Sequence, residues 1–262
     1  MVDTTTAAVT DPVQICLLGS FRLLRFGVTV PVRSGGKTEA LLSCLALRDG
    51  HRVPRDALLD ALWPEADLPK AAQSLTTLVH AVRRLLDSAL AGASPVLYTE
   101  GGYELNSDAG VAVDVARFDA LAAAGERSMR NGDQAGAIRS WRRALDLYRG
   151  DVSAANDIHA TIERERLRAL HLTLLARLAD HYLEAGEHHE ALGHARRLLR
   201  HDPCREDAHR LVMRCHVRLG ERAQGLRQYR VCRQILQREF GVTPEPSTEA
   251  LFARIRLDPT SV

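Results

Sequence analysis

Residues 58–86 read LLDALWPEADLPKAAQSLTTLVHAVRRLL, and this stretch decides the class of the N-terminal half. Its apolar residues Leu75, Leu78, Val79, Val82, Leu85 and Leu86 recur at i, i+3, i+4 and i+7, one face of an amphipathic helix that a surrounding fold must bury. The opposite arc carries Gln73, Thr76, Thr77, His80 and Arg84, with Arg83 at its edge. Such side chains suit the major groove of DNA: Gln and Arg bond base edges, and Thr reaches a thymine methyl or a phosphate. The same strip would equally serve as a plain solvated face, so its neighbours must decide between the two. The helix is expected over 68–90, following a shorter one over 55–62 whose stripe Ala57, Leu58, Ala61, Leu62 is ended by Trp63-Pro64.

Upstream, strand-like runs at 13–18, 20–26 and 28–32 are punctuated by Gly19 and Gly27, which predicts a small antiparallel sheet. A first helix is expected over 37–47, stopped by Asp49-Gly50. Downstream, runs at 96–99 and 103–106 flank Glu100-Gly101-Gly102, the composition of a hairpin whose turn needs positive φ. Sheet, three helices and hairpin complete one unit, and the composition changes at 108–114.

Beyond Val115 the chain reads as nearly continuous helix to Arg256, with breaks at Gly132, Gly150, Gly186, Pro203, Gly220 and Gly241. Gly186 and Gly220 are 34 residues apart, the period of a tetratricopeptide hairpin. Leu178, Ala179, Tyr182, Ala191, Ala195 and Leu198 surround the first, and Val212, Met213, His216, Gly225, Tyr229 and Cys232 take the matching places around the second. A third copy at Gly132 supplies Gly125, Ala137, Trp141 and Ala144, separated from the others by an inserted charged helix from Ile158. Small residues where helices cross and large ones between hairpins predict an α-solenoid. The fold class expected is mainly α: a winged helix-turn-helix of α+β character, then tetratricopeptide-like repeats. The domains expected are a disordered start at 1–12, a winged helix at 13–108, a helical-repeat domain at 114–256 and a tail at 257–262.

The 262 residues carry a formal net charge of +2, too mild to announce a polyanion partner. Residues 1–110 hold 10 basic against 12 acidic residues, so the positive balance lies in the second half. Cys16, Cys44, Cys204, Cys215 and Cys232 form no C-x-x-C pair and mostly sit in apolar patterns, which fits a reducing compartment. With no exported leader and no long apolar run in the sequence, a cytoplasmic location is expected.

The quoted stretch, in this order of elements, resembles the OmpR-type winged helix of the Streptomyces antibiotic regulatory protein (SARP) family. Four further segments resemble the bacterial transcriptional activator domain that follows it in SARP and AfsR-like regulators: LYRGD (147–151), ERERLRAL (163–170), DPCREDAHRLVMRCHVRLGERAQGLRQYRVC (202–232) and REFGVTPEPSTEALFARI (238–255). The resemblance implies a transcription regulator, usually an activator, that binds direct repeats in promoter double-stranded DNA, contacts RNA polymerase and can form a homodimer. It places the DNA-binding positions on Gln73, Thr76, Thr77, His80, Arg83 and Arg84. Relatives commonly read Ser-Arg-Leu-Arg-Arg where this chain reads His80-Ala81-Val82-Arg83-Arg84, and their hairpin often carries Arg near Glu100. Ala81, Glu100 and the acidic first domain favour an alternative, a protein-interaction adaptor with a degenerate winged helix that binds a partner through its repeats.

Ser34-Gly35-Gly36-Lys37-Thr38 ends like a P-loop, but Pro31 stands where the first glycine belongs, so Lys37 and Thr38 read as the first turn of a helix. Seven of eleven histidines fall between His181 and His216, none at ligand spacing with a carboxylate or cysteine, so no metal is expected. His209, His216, Trp141, Tyr182 and Tyr229 read as packing residues. With no nucleophile, paired carboxylates or dinucleotide loop, the sequence predicts neither an enzyme nor a cofactor.

Overall fold

Alternation lays down the first sheet: Val13, Ile15 and Leu23 are buried, whereas Gln14, Arg22 and Leu24 face partly outward. The computed structural model describes residues 11–48, 50–152 and 158–261, and the reading of a disordered start falls largely outside them. Strand β1 (Val13–Cys16) pairs antiparallel with β2 (Arg22–Arg25), and β2 with β3 (Val28–Val30). A further strand, β7 (Val111–Val113), lies parallel to β1 on its other side, giving the order β3-β2-β1-β7. The expected first run stops two residues early because Leu17 and Leu18 leave the ladder and donate their amides to Asp114, at 2.8 and 3.0 Å. Burial pushes the Asp114 carboxyl above the ordinary range of an aspartate, and the same two amides pull against that shift.

Three helices follow: α1 (Lys37–Ala46), α2 (Arg55–Leu62) and α3 (Leu68–Leu86). Lys37 does open a helix, and its ammonium caps the Leu62 carbonyl and lies 5.6 Å from the Trp63 ring, a structural role at the end of α2. The expected third helix is shorter than 68–90, because the chain tightens into a 3₁₀ turn at Asp87–Ala89. The hairpin of β5 (Val96–Thr99) and β6 (Gly102–Leu105) takes a third strand, β4 (Val53–Pro54), on β6.

The chain divides into two compact units, ending at and beginning after Leu167. The first unit also holds α4 (Asp114–Arg130), α5 (Gln134–Leu147) and the start of α6 (Ile158–Glu184). Helices α4 and α5 form the hairpin expected at Gly132, with Trp141 buried against Gly125. The LYRGD segment meets the first sheet: a Cβ on Gly150 would lie 3.4 Å from the Cα of Gly19, which itself holds φ +108°. No larger residue fits Gly19 without backbone strain.

In the second unit α7 (His188–His201), α8 (Glu206–Arg218), α9 (Arg222–Phe240) and α10 (Pro246–Leu257) continue the repeats. Gly186 and Gly220, 34 residues apart, take φ of +80° and +76° at equivalent turns. Ala191, Ala195, Met213 and Cys232 are buried as the repeat spacing requires, and His209 and His216 are buried packing residues. Glu206, in the first turn of α8, fixes the start of α10: its carboxylate accepts from the Glu245 amide at 2.9 Å and from the Thr248 hydroxyl at 2.6 Å. Arg210 completes the joint by donating to Thr248 and Glu245.

Candidate nucleic-acid interface

Helix α3 buries Ala71, Leu75, Val79, Val82 and Leu86 and leaves Gln73, Thr76, Thr77, His80 and Arg84 exposed. At 100° per residue, His80, Gln73 and Arg84 fall within about 40° of one another, flanked by Thr76 on one side and Thr77 on the other. Five of the six expected positions therefore share one outward arc. Arg83 stands apart. It is half-buried, and its Nη2 donates to the Val96 carbonyl at 3.3 Å, holding the base of the hairpin against the helix. Ser94 Oγ donates to the same carbonyl at 2.6 Å.

The two threonines are constrained. Thr76 Oγ1 donates to the Ala72 carbonyl at 3.1 Å and Thr77 Oγ1 to Gln73 at 3.0 Å. A hydroxyl whose proton is committed to its own helix can still accept a bond and offers its methyl outward, but it cannot donate to a phosphate. These positions therefore suit base donors and thymine methyls better than the backbone of a duplex.

Two residues that the sequence reading left aside join the arc. Ser74 is exposed, and Lys70, one turn earlier, lines a shallow groove of about 560 Å³ with Trp63, Gln73, Ser74, Thr77, Leu78 and Ala81. Only helical phase could have signalled them, since neither breaks the polar pattern. Ala81 lies at the rim of this groove.

At the hairpin tip both central residues have positive φ, Glu100 at +47° and Gly101 at +80°, as a two-residue type I′ turn requires. The Glu100 carboxylate is held by Arg52, so the acid at the tip is partnered. Tyr98, exposed on β5 and 4.7 Å from the Tyr103 ring, places a phenolic group on the hairpin.

Among the described residues no three His, Cys, Asp or Glu side chains are grouped to hold a metal ion, and no helix is long and apolar enough to cross a membrane.

Among known protein families, the profile described as the bacterial transcriptional activator domain matches residues 113–256. The regulatory protein AfsR of Streptomyces coelicolor is 36% identical over 244 residues, covering 88% of this chain and 24% of its own length. The regulatory protein DnrI of Streptomyces peucetius is 33% identical over 258 residues, covering 94% of this chain and 93% of its own length. This chain thus spans about a quarter of the length of AfsR and nearly all of DnrI. A solved structure of Mycobacterium tuberculosis EmbR in complex with a low-affinity phosphopeptide superposes with a TM-score of 0.77 at 24% identity, over 95% of this chain and 67% of that one. At that identity the likeness concerns the fold.

Proposed function

The chain belongs to the SARP family of transcriptional regulators, defined by the bacterial transcriptional activator domain, and from that premise we propose that it binds promoter DNA with α3 and the hairpin. The observation that carries the reading is the outward arc of α3, where Gln73, Thr76, Thr77, His80 and Arg84 are exposed over a fully packed inner face. Gln73 and Arg84 read base edges, Thr76 and Thr77 meet methyls or base donors, and His80 and Tyr98 lie against the backbone. Arg83 acts as a positioning residue, setting the hairpin so that it and the helix engage adjacent stretches of duplex. In this reading residues 13–108 bind direct repeats in the cytoplasm, and the helical domain at 114–256 contacts RNA polymerase to activate transcription.

The test is a mobility-shift titration on the DNA upstream of the gene at two salt concentrations. Gln73→Ala should weaken binding by about 1–3 kcal/mol and relax base preference at one position. Arg84→Ala should weaken binding by a similar amount and relax base preference at a second position. Loss of neither affinity nor preference in both variants overturns the assignment.

One observation favours the adaptor reading: Arg83 is committed to the hairpin and Arg52 to Glu100, so two guanidiniums of this unit are already engaged within the protein. Phosphate neutralisation supplies most non-specific affinity. A full-length chain that shows no salt-dependent DNA binding decides for the adaptor.

A further inference from the structure

Helix α9 carries an exposed stripe of Arg230, Arg233, Gln234, Gln237 and Arg238. The stripe borders a trough of about 580 Å³ whose floor is the Tyr229–Phe252 pair, stacked at 3.9 Å. The acids at its rim are already engaged: Glu249 accepts the Tyr229 hydroxyl at 2.6 Å, and Glu239 lies 3.9 Å from Arg238. Arg230 and Arg233, beside an apolar floor, call for carboxylates flanking a hydrophobic side chain. A phosphate backbone would satisfy the arginines and leave the aromatic floor unused.

The same chain exposes that chemistry elsewhere. Around the loop between α2 and α3, Asp60, Glu65 and Asp67 are exposed beside Leu68, whose accessibility of 63% is high for a large apolar residue. We infer that the α9–α10 trough receives the acidic α2–α3 loop of a second copy of this chain, with Leu68 over Phe252 and carboxylates on Arg230 and Arg233. Because the two patches differ, every copy can give one contact and receive another. The inference goes beyond the DNA-binding reading and does not depend on it.

Sedimentation of the full-length chain, without DNA, tests it. At low salt the weight-average mass should rise with concentration above the 28.9 kDa monomer and fall back towards it as salt screens the pairs. R230E/R233E destroys the trough and D60N/E65Q neutralises the loop, so each variant alone should stay monomeric. Mixed one to one, they retain one intact trough and one intact loop, and should form a species of twice the monomer mass that grows no further. All four positions are exposed, so both variants should keep the wild-type melting temperature; Leu68→Lys supplies a third disruption through the apolar contact alone. A wild-type chain that stays monomeric at submillimolar concentration and low salt overturns the inference, as does a mixture that does not associate. Loss of DNA binding in R230E/R233E with self-association unchanged would assign the trough to nucleic acid and equally overturn it.

Discussion

Replacing Gly125 with alanine sets two known effects against each other. Alanine is the better helix former by about 1 kcal/mol in a helix interior. Against this, a Cβ at Gly125 would lie 2.1 Å from Nε1 of Trp141, 2.3 Å from Cδ1 and 2.9 Å from Cε2. Favourable contacts begin near about 3.5 Å, so the indole or the α4 backbone must retreat by more than about 1 Å. Trp141 is 1% exposed, and a close-packed interior has no space to receive that shift. Overpacking of this kind costs about 1–3 kcal/mol, so the net effect after the helix gain should be a loss of up to about 2 kcal/mol. Gly193, inside α7, provides the control: a Cβ added there would meet nothing within 4 Å, and Gly193→Ala should stabilise by up to about 1 kcal/mol. The two effects can be read separately because Trp63 and Trp141 both lie in the first unit. Tryptophan emission follows that unit, and far-ultraviolet circular dichroism follows both. In urea, Gly125→Ala should lower the midpoint of the fluorescence transition at unchanged slope. A midpoint equal to or above wild type would refute the close-approach argument.

Thr248 is fully buried, donating to Glu206 and accepting from Arg210, so Thr248→Val should destabilise the second unit by about 1–3 kcal/mol, read as a lower urea midpoint by circular dichroism. Burial pushes Cys215 up to about 11 and both Tyr229 and Cys232 up to about 12. These groups stay neutral in the native state at pH values where the unfolded chain ionises, so their contribution is intact below pH 9 and is lost as pH rises towards 12; thermal melts should move steadily lower across that window. Arg83→Ala should lower the first unit's fluorescence melting temperature as well as any DNA affinity, whereas Arg84→Ala, on the exposed arc, should leave it near wild type.

The repeat turns were legible because a helix that must reverse within two residues needs positive φ, and Gly132, Gly186 and Gly220 announce it. Gly125 was legible as a place of close helix approach, which leaves room for little else, but that Trp141 of the same hairpin lies against it was not. The inner and outer arcs of α3 follow from helical phase alone. What escaped depends on distant partners. Strands β4 and β7 have two and three residues, too few for any alternation to show, and each exists only through its pairing with β6 or β1. Arg83 lies at the margin of the polar arc by phase, and the hairpin carbonyl that claims it is 13 residues away. The segment 147–151 was recognisable as a family motif, but its packing of Gly150 against Gly19 could not be read from either segment by itself.

Strand β7 also bears on where the DNA-binding part can be cut. A fragment ending at residue 110 would remove β7, uncovering the edge of β1, and with it Asp114, which holds the Leu17 and Leu18 amides. Val111 and Val113 are buried at 2% and 4% exposure, and full burial of a valine is worth about 1.5–3 kcal/mol. Two such losses, about 3–6 kcal/mol, are comparable with the whole stability of a small domain, about 5–15 kcal/mol. A fragment of residues 1–110 should therefore melt without cooperativity or not fold, and its failure to bind DNA would say nothing about α3. A fragment of residues 1–167 retains β7, the α4–α5 hairpin and the ion pair of Arg166 with Asp119, and should unfold in one cooperative transition. If it does, and α3 is the reading helix, it should keep base preference while losing activation, because α7 to α10 are gone. A cooperative melt for residues 1–110 equal to that of residues 1–167 would refute the structural role of β7 and Asp114.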